Sequence, residues 1–183
     1  MSGRRGIDLV VLCSHGRRGL ARLALGSVAE RLLHDGSAPQ LLVRAFGPPL
    51  TLARAVVPLD ESTLAEQALT VLAALAGSVV YEVTLLRVIA APEERLAAEH
   101  YLAAVARRLP VPLIVRRLVE QGDPAERITA VAGVEALVLM ATHGRSGLAR
   151  LALGSVADRV AHGEVAGVLL VRACPAGTAS VHQ

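Results

Sequence analysis

A loop near residue 150 combines glycine, serine and histidine in an arrangement that could hold an anion. Thr142-His143-Gly144 is followed, after nine residues, by Gly154-Ser155. Glycine has no Cβ, so backbone amides beside Gly144 and Gly154 can approach a phosphate closely. Ser155 stands where a helix is expected to begin, and a hydroxyl, free N–H groups and the positive end of the helix dipole would meet there. The loop therefore predicts a phosphate-binding site.

The same loop also has simpler interpretations. Arg145 and Arg150 would add positive charge to a phosphate site, but the glycines could equally form turns and Ser155 could only cap a helix. No acid or nucleophile stands at a fixed spacing beside His143, so a structural or capping role is favoured over catalysis. The chain has no lysine, which excludes nucleotide binding of the P-loop type.

A second group of candidate residues closes an apolar run, Pro58-Leu59-Asp60. The run 54–59 is typical of a buried strand, and ligands of open α/β sheets bind beyond the carboxyl ends of the strands. Asp60 would then face the same crevice as the glycine-rich loop. The alternative is that Asp60 is only the N-cap of the helix that follows.

An internal repeat determines how these elements are arranged. Residues 15–28 recur as residues 143–156 with one difference, Arg18 against Ser146, and the match runs without a gap at an offset of 128 from residues 9–12 to residues 41–45. Only this portion is duplicated. We therefore predict a truncated first copy over residues 1–48, a complete domain over 49–175 and a tail over 176–183.

The complete copy alternates apolar strands with helical spacing. Strands are predicted over 54–59, 79–89, 111–119, 136–141 and 168–173, and Asp123 is predicted to cap a helix that begins at Pro124. This alternation predicts an α/β fold with a doubly wound, parallel five-stranded sheet in the order 3-2-1-4-5. A partial β-α-β copy would precede it. Cys13, in that partial copy, is expected to be a small buried residue.

Composition excludes several classes of protein. Apolar residues make up 53% and charged residues 19% of the chain, so a sizeable core is available. All nineteen basic residues are arginines, the net charge is only +3 and aromatic residues reach 2%, which disfavours nucleic-acid binding. The two cysteines match no metal or redox spacing, and no apolar run approaches the ~18 residues of a membrane helix. We expect a cytoplasmic protein.

Four stretches of the chain resemble the universal stress protein family, in its ATP-binding branch. They are residues 57–62, residues 85–88, residues 122–126, and Thr142-His143-Gly144 with Gly154-Ser155. The resemblance covers residues 52–175 as a whole Rossmann-like domain and residues 7–46 as the end of another. It implies a stress-response protein with ATP as the cofactor, with or without Mg²⁺, and homodimers formed through the last strands.

The resemblance also implies which residues bind the nucleotide. Asp60 and Val88 would contact adenine, and the glycine-rich loop would hold the ribose and phosphates. The expected binding residues are Pro58, Leu59, Asp60, Val88, Ala141, His143, Gly144, Arg145, Gly154, Ser155 and Val156. The run from Gln40 to Ala45 could pair within the chain with the run from Val168 to Ala173, in place of a second subunit, and so cover an exposed sheet edge. The rest of the partial copy would still leave apolar surface uncovered.

Three residues depart from the family pattern, and one of them, Gly167 in place of a proline before the last strand, concerns only the entry into that strand. Ala141 replaces the first glycine of the loop, and Glu61 stands where a glycine is usual, so that a carboxylate lies near the ligand.

The sequence leaves three functions open. An ATP-binding regulatory module, with at most slow hydrolysis because no general base is apparent, is favoured over a nucleotide-independent dimeric interaction protein. An ATP-cleaving transferase is the least favoured, since no nucleophile or metal-binding carboxylates accompany the loop.

Overall fold

The structure is a computed structural model, and it describes residues 9–14, 38–44, 50–142 and 154–172. Strands and helices alternate along the complete copy. The elements, in chain order, are β1 (Val10–Ser14), β2 (Gln40–Arg44), β3 (Arg54–Pro58), α1 (Thr63–Glu66), α2 (Ala68–Leu75), β4 (Glu82–Ile89), a 3₁₀ turn (Pro92–Glu94), α3 (Arg95–Ala106), β5 (Ile114–Gln121), α4 (Pro124–Ala132), β6 (Leu137–Thr142), α5 (Ser155–Ala161) and β7 (Gly167–Arg172).

All seven strands form one sheet in the order β1-β2-β7-β6-β3-β4-β5. The β3–β4, β4–β5, β3–β6 and β6–β7 pairs are parallel, as expected for a sheet whose strands are joined by β-α-β crossovers. The predicted α/β class is confirmed. The five strands of the complete copy lie in the predicted order 3-2-1-4-5, and the two strands of the partial copy extend this sheet to seven. Cys13, on β1, is exposed, so the expectation that it is buried is wrong.

Residues close to the ends of the helices and strands determine where most of these elements begin and end. Asp123 Oδ1 accepts a hydrogen bond from the Glu126 amide at 3.0 Å, so the predicted N-cap of α4 is confirmed. Gly133, at a φ of +56°, ends that helix. The strand expected to begin at residue 79 begins at Glu82, because a turn that follows Gly77, at a φ of +74°, occupies the intervening residues. Residue 173, the last of the predicted fifth strand, lies outside the described residues.

The strand β2 joins the partial copy to the complete one. It pairs antiparallel with β7 in the register Gln40↔Leu170, Leu41↔Leu169 and Leu42↔Val168, so the predicted pairing of these two runs within the chain is present. Leu41 and Leu169 are equivalent positions of the 128-residue repeat. A local twofold axis therefore passes between them, and the contact has the self-complementary form of an isologous interface.

Two apolar layers cover the faces of the sheet. On β3, Ala55 and Val57 point into one layer and Val56 into the other, as the two-residue period of a strand requires. Helices α2 and α3 pack on the first layer, through residues such as Leu72 and Leu102. Helices α4 and α5 pack on the second. This sandwich fixes the positions of the strand ends.

Truncating the core beneath the crevice should destabilise the fold. Leu139 of β6 is fully buried, so we expect Leu139→Ala to lower the free energy of unfolding by about 2–5 kcal/mol. Leu96, on α3, is 64% exposed, and Leu96→Ala should change it by less than about 0.5 kcal/mol. Urea unfolding of both variants tests the layer assignment, and equal losses would contradict it.

Candidate functional site

The described residues form a cleft of about 290 Å³ at the carboxyl ends of the strands. It lies where β3 and β6 pair in parallel while the chain continues from β3 to β4 on one side and from β6 to β7 on the other. Such a reversal separates the following helices and opens a crevice. The cleft is lined by Pro58, Leu59, Asp60, Ser62, Leu64, Ala65, Leu86, Arg87, Val88, Pro124, Ile128, Met140, Ala141, Thr142, Gly154, Ser155, Val156 and Ala157.

One wall is organised by Asp60, immediately after β3. Its Oδ1 accepts hydrogen bonds from both the amide and the hydroxyl of Ser62. The Ser62 hydroxyl in turn accepts from the Ala65 amide at 3.0 Å and caps α1. The alternative that Asp60 is the N-cap is therefore wrong: Ser62 caps the helix, and Asp60 holds Ser62. The side chain of Asp60 stays exposed at the cleft.

Glu61 has an unusual backbone beside this wall. Its φ is +70°, in the left-handed region where a side chain costs roughly 1–2 kcal/mol and glycine costs little. Glu61 Oε1 lies 3.3 Å from Arg87 Nε, and Arg87 Nη1 donates to the Val88 carbonyl at 2.9 Å. The pair places a guanidinium over the end of β4, next to the apolar surface of Val88.

The opposite wall begins with β6 and continues with the start of α5. Ala141 and Thr142 close the strand, and Gly154 is the N-cap of the short helix α5, with φ −62° and ψ 154°. A Cβ on Gly154 would meet no atom of the described residues within 4 Å. Because Gly154 lines the cleft and the described core does not crowd it, a larger residue there would reduce the space for a ligand.

An ion pair between helices fixes the position of α5. Arg159 Nη1 lies 2.7 Å from Asp123 Oδ2, and Asp123 also caps α4. The hydrogen bond from Arg159, followed by that from the Glu126 amide, lowers the pKa of Asp123 below its usual 3.8. The contact ties the start of α4 to the helix that follows the cleft.

A pair of hydrogen bonds to Glu66 anchors α1, the helix that follows Asp60 and Ser62. Glu66 accepts hydrogen bonds from Tyr101 Oη at 3.1 Å and Arg108 Nη2 at 2.6 Å. Burial and the neighbouring Glu66 carboxylate raise the pKa of Tyr101 above the usual range of tyrosine. The phenol therefore stays protonated as a donor, and α1 is tied to α3.

The structure brings together most of the residues that the sequence singled out. Pro58, Leu59, Asp60, Val88, Ala141, Gly154, Ser155 and Val156 all line the cleft. His143, Gly144 and Arg145 lie outside the described residues, and contact of any of these residues with a ligand stays a prediction. Sequence reasoning missed Ser62 and Arg87 as site residues. A lone charge in the apolar run 85–89 was the available signal for Arg87.

The lining of the cleft matches the chemistry of an adenine nucleotide. Leu59, Val88 and Met140 offer apolar surface for a planar ring, Asp60 offers a carboxylate acceptor, and Gly154 leaves the backbone open to a bulky group. These groups fit such a ligand. Within the described ranges, no cluster of three or more His, Cys, Asp or Glu side chains could hold a metal ion, and no described helix is long and apolar enough to cross a membrane.

Fold and cleft together define an α/β protein with a ligand crevice at the switch point of a doubly wound sheet. The model of the universal stress protein family matches residues 3–44 and 52–172. This chain belongs to the universal stress protein family. Universal stress protein Rv2005c of Mycobacterium tuberculosis and Mb2028c of Mycobacterium bovis are each 30% identical to it over 184 residues. The alignments cover 90% of this chain, which spans only 62% of the length of these relatives.

Solved structures show the same fold. A universal stress protein from Archaeoglobus fulgidus superposes with a TM-score of 0.69 at 19% identity, over 90% of this chain and 62% of that one. The protein MJ0577 superposes with a TM-score of 0.56 at 26% identity, over 68% of this chain and 99% of that one. The first match extends across both copies of the repeat, and the second corresponds in size to one domain.

The ion pair of Asp123 should make stability depend on pH in the acid range. Because the folded-state pKa is lowered, the contribution is present above the unfolded value near 3.8 and is lost as pH falls through the lower folded value. Asp123→Asn keeps a good N-cap but removes the charge. We expect its Tm to lie slightly below that of the wild type at pH 7 and the difference to shrink below about pH 4.

Thermal unfolding at half-unit steps from pH 7 to pH 3 checks this. Asp123→Ala, which loses the cap as well, should stay less stable than Asp123→Asn across the range. A Tm difference between wild type and Asp123→Asn that grows toward low pH would contradict the assignment.

Proposed function

We propose that this universal stress protein binds ATP, or another adenine nucleotide, in the cleft and acts as a regulatory binding module in the stress response. The observation that carries the proposal is the convergence in one crevice of the strand end at Asp60, the apolar surface at Val88 and the open backbone at Gly154. The family resemblance gives these three positions a common role. Each of them alone has a structural explanation.

In this proposal one wall of the cleft binds the adenine ring and the other binds the phosphates. Leu59, Asp60 and Val88 hold the adenine ring, with the carboxylate of Asp60 accepting from the exocyclic amine. Gly154, Ser155 and Val156 hold the phosphates through backbone amides, together with Gly144 of the loop. A bound triphosphate supplies negative charge, which Mg²⁺ would partly neutralise, and Asp60 fixes the orientation of the base.

The described wall residues favour binding over catalysis. The carboxylate of Asp60 already accepts two hydrogen bonds from Ser62, and that of Glu61 is paired with Arg87. Neither arrangement resembles a general base poised on a water molecule. We therefore propose that hydrolysis, if it occurs, is slow, and that occupancy of the cleft is the signal.

A second candidate function is a nucleotide-independent interaction protein of the same fold. The Glu61–Arg87 pair favours it, because Arg87 is already bonded to the Val88 carbonyl and Glu61 adds negative charge near the mouth of the cleft. Like charges this close oppose anion binding. Direct binding measurements separate the two functions.

Nucleotide binding should raise the Tm of the chain. A ligand at about one hundred times its dissociation constant adds about 2.7 kcal/mol of stability, so ATP or AMP should shift Tm by several degrees and GTP should shift it less. Asp60→Ala should abolish the adenine preference. Gly154→Val should abolish the shift while leaving the ligand-free Tm near that of the wild type, since the added atoms meet open space.

Leu96→Ala, on an exposed face of α3, is the matched control and should retain the full shift. Isothermal titration confirms any shift as binding. If wild type shows neither a shift nor heat with any adenine nucleotide, the nucleotide-independent function is the better account. If Gly154→Val binds ATP as wild type does, the phosphate position is wrong.

Restoring glycine at residue 61 should strengthen nucleotide binding. Glu61→Gly removes a carboxylate from beside the cleft and frees Arg87, which lines it, while the φ of +70° suits glycine. We expect about a three- to tenfold lower dissociation constant for ATP, corresponding to roughly 1 kcal/mol, and the gain should diminish at high salt.

Glu61→Gln separates charge from backbone. It removes the negative charge but keeps a side chain in the left-handed conformation, so it should gain affinity without gaining stability. Titration calorimetry at 50 mM and 500 mM salt, conditions that differ in screening length, measures both effects. Weaker ATP binding by both variants would show that Glu61 assists the ligand.

A further inference from the structure

The turn that connects α5 to β7 is held by a residue of the partial copy. Arg44, the last residue of β2, donates through Nη2 to the Gly163 carbonyl at 2.6 Å. Its amide also donates to the Ala166 carbonyl at 3.2 Å. One residue therefore bonds both ends of the segment 163–166, and the guanidinium contact joins two residues that are 119 positions apart in sequence.

The guanidinium of Arg44 suits the place where it lies. The helix α5 ends at Ala161, with His162 as its C-cap, and Gly163 follows directly. Carbonyls at the end of a helix lack an intrahelical partner, and an arginine near that end can donate to them and interacts favourably with the helix dipole. Because the donor is charged and the contact is partly buried, the hydrogen bond is stronger than one between neutral groups. The contact therefore restrains the end of α5.

Gly163 also lies directly against α4. A Cβ at this position would come within 2.9 Å of Thr129 Oγ1 and within 3.1 Å of the Val160 carbonyl, so a larger residue would force the two helices apart. The same two helices are joined by the ion pair of Arg159 with Asp123. The helix α5 is therefore held by α4 along its length and by β2 at its end.

The beginning of α5 forms part of the cleft. Residues 154–157 line the wall that follows β6, and the helix runs only from Ser155 to Ala161, which is about two turns. A helix this short carries a displacement of one end to the other, because rigid elements transmit coupling between sites. What restrains the end of α5 therefore also restrains this wall of the cleft.

We propose that Arg44 is a positioning residue for the nucleotide site: by holding the end of α5, it fixes the wall of the cleft that binds the phosphates. This inference rests on the proposed function. The partial copy then acts on the cleft in addition to covering the edge of β7. Because coupling between two sites is reciprocal, a nucleotide in the cleft strengthens the contact of β2 with the turn between α5 and β7.

Arg44→Met removes the guanidinium and keeps an unbranched side chain, so ATP should bind about fivefold or more weakly than to the wild type. Arg44→Lys keeps a charged donor for the single carbonyl and should bind ATP within about twofold of the wild type. Arg117→Met is the matched control, because it makes the same change on the exposed edge strand β5. Titration calorimetry measures all four chains, and equal affinity of wild type and Arg44→Met would overturn the proposal.

Hydrogen exchange followed by NMR separates positioning from a general loss of stability. The Asp158 amide donates to the Gly154 carbonyl, and the His162 amide donates to the Asp158 carbonyl, so both report on α5. Without ligand, Arg44→Met should speed the exchange of these two amides while the amides of β4 keep their wild-type rates. Exchange that becomes faster by the same factor in α5 and β4 would show a merely structural role and overturn the proposal.

A measurement on the wild type keeps the proposal open to test even if Arg44→Met fails to fold. The Arg44 amide, which is bonded to Ala166, should exchange about fivefold or more slowly when ATP saturates the cleft, since the coupling acts in both directions. ATP binding with no change at this amide would overturn the inference and leave the proposed function standing. A wild type that binds no adenine nucleotide by calorimetry would instead overturn the proposed function and the coupling with it.

Discussion

The parallel pairing of β3 with β6 is the contact from which the rest of the site follows. Ala55 and Val56 lie beside Leu137 and Val138, and from this seam the chain winds outward in both directions. Because both strands run the same way, their carboxyl ends meet at one edge. Asp60 and Ser62 leave from one strand, and Ala141 and Thr142 close the other. The crevice exists because the helices that follow must diverge.

Side-chain contacts then hold each wall in place. Asp60 binds Ser62, which caps α1, and the triad of Glu66, Tyr101 and Arg108 secures that helix against α3. On the other side, Asp123 both caps α4 and pairs with Arg159 of α5. Polar residues near the crevice thus serve the architecture before any ligand is considered. The exposed carboxylate of Asp60, the paired Glu61 and the open space at Gly154 are the features that remain for recognition.

The repeat gives the molecule a second organising element. The antiparallel contact of β2 with β7 places Leu41 against its own equivalent, Leu169, so one chain contains the self-complementary contact that two identical subunits would make. This arrangement covers the β7 edge, and β1 is the outermost described strand on that side.

Sequence by itself determined the α/β class, the alternation of strands and helices, the Asp123 cap and the near-identity of the two copies. These depend on short-range effects: the period of apolar residues, the preference of aspartate for a helix start and the stopping of helices at glycine. Pairing of 40–45 with 168–173 was also accessible, but through the family resemblance, which implies contacts between last strands.

Only the tertiary structure decided the rest. The outermost position of β1 in a seven-stranded sheet depends on long-range pairing, which local pattern does not encode. That Arg87 reaches Glu61 depends on the parallel pairing of β3 with β4, which brings together two residues that are 26 apart in sequence. Exposure of Cys13 and Val11 likewise follows from the position of β1 in the strand order. An apolar strand sequence predicts burial, and the sheet alone determines whether a neighbour is present to provide it.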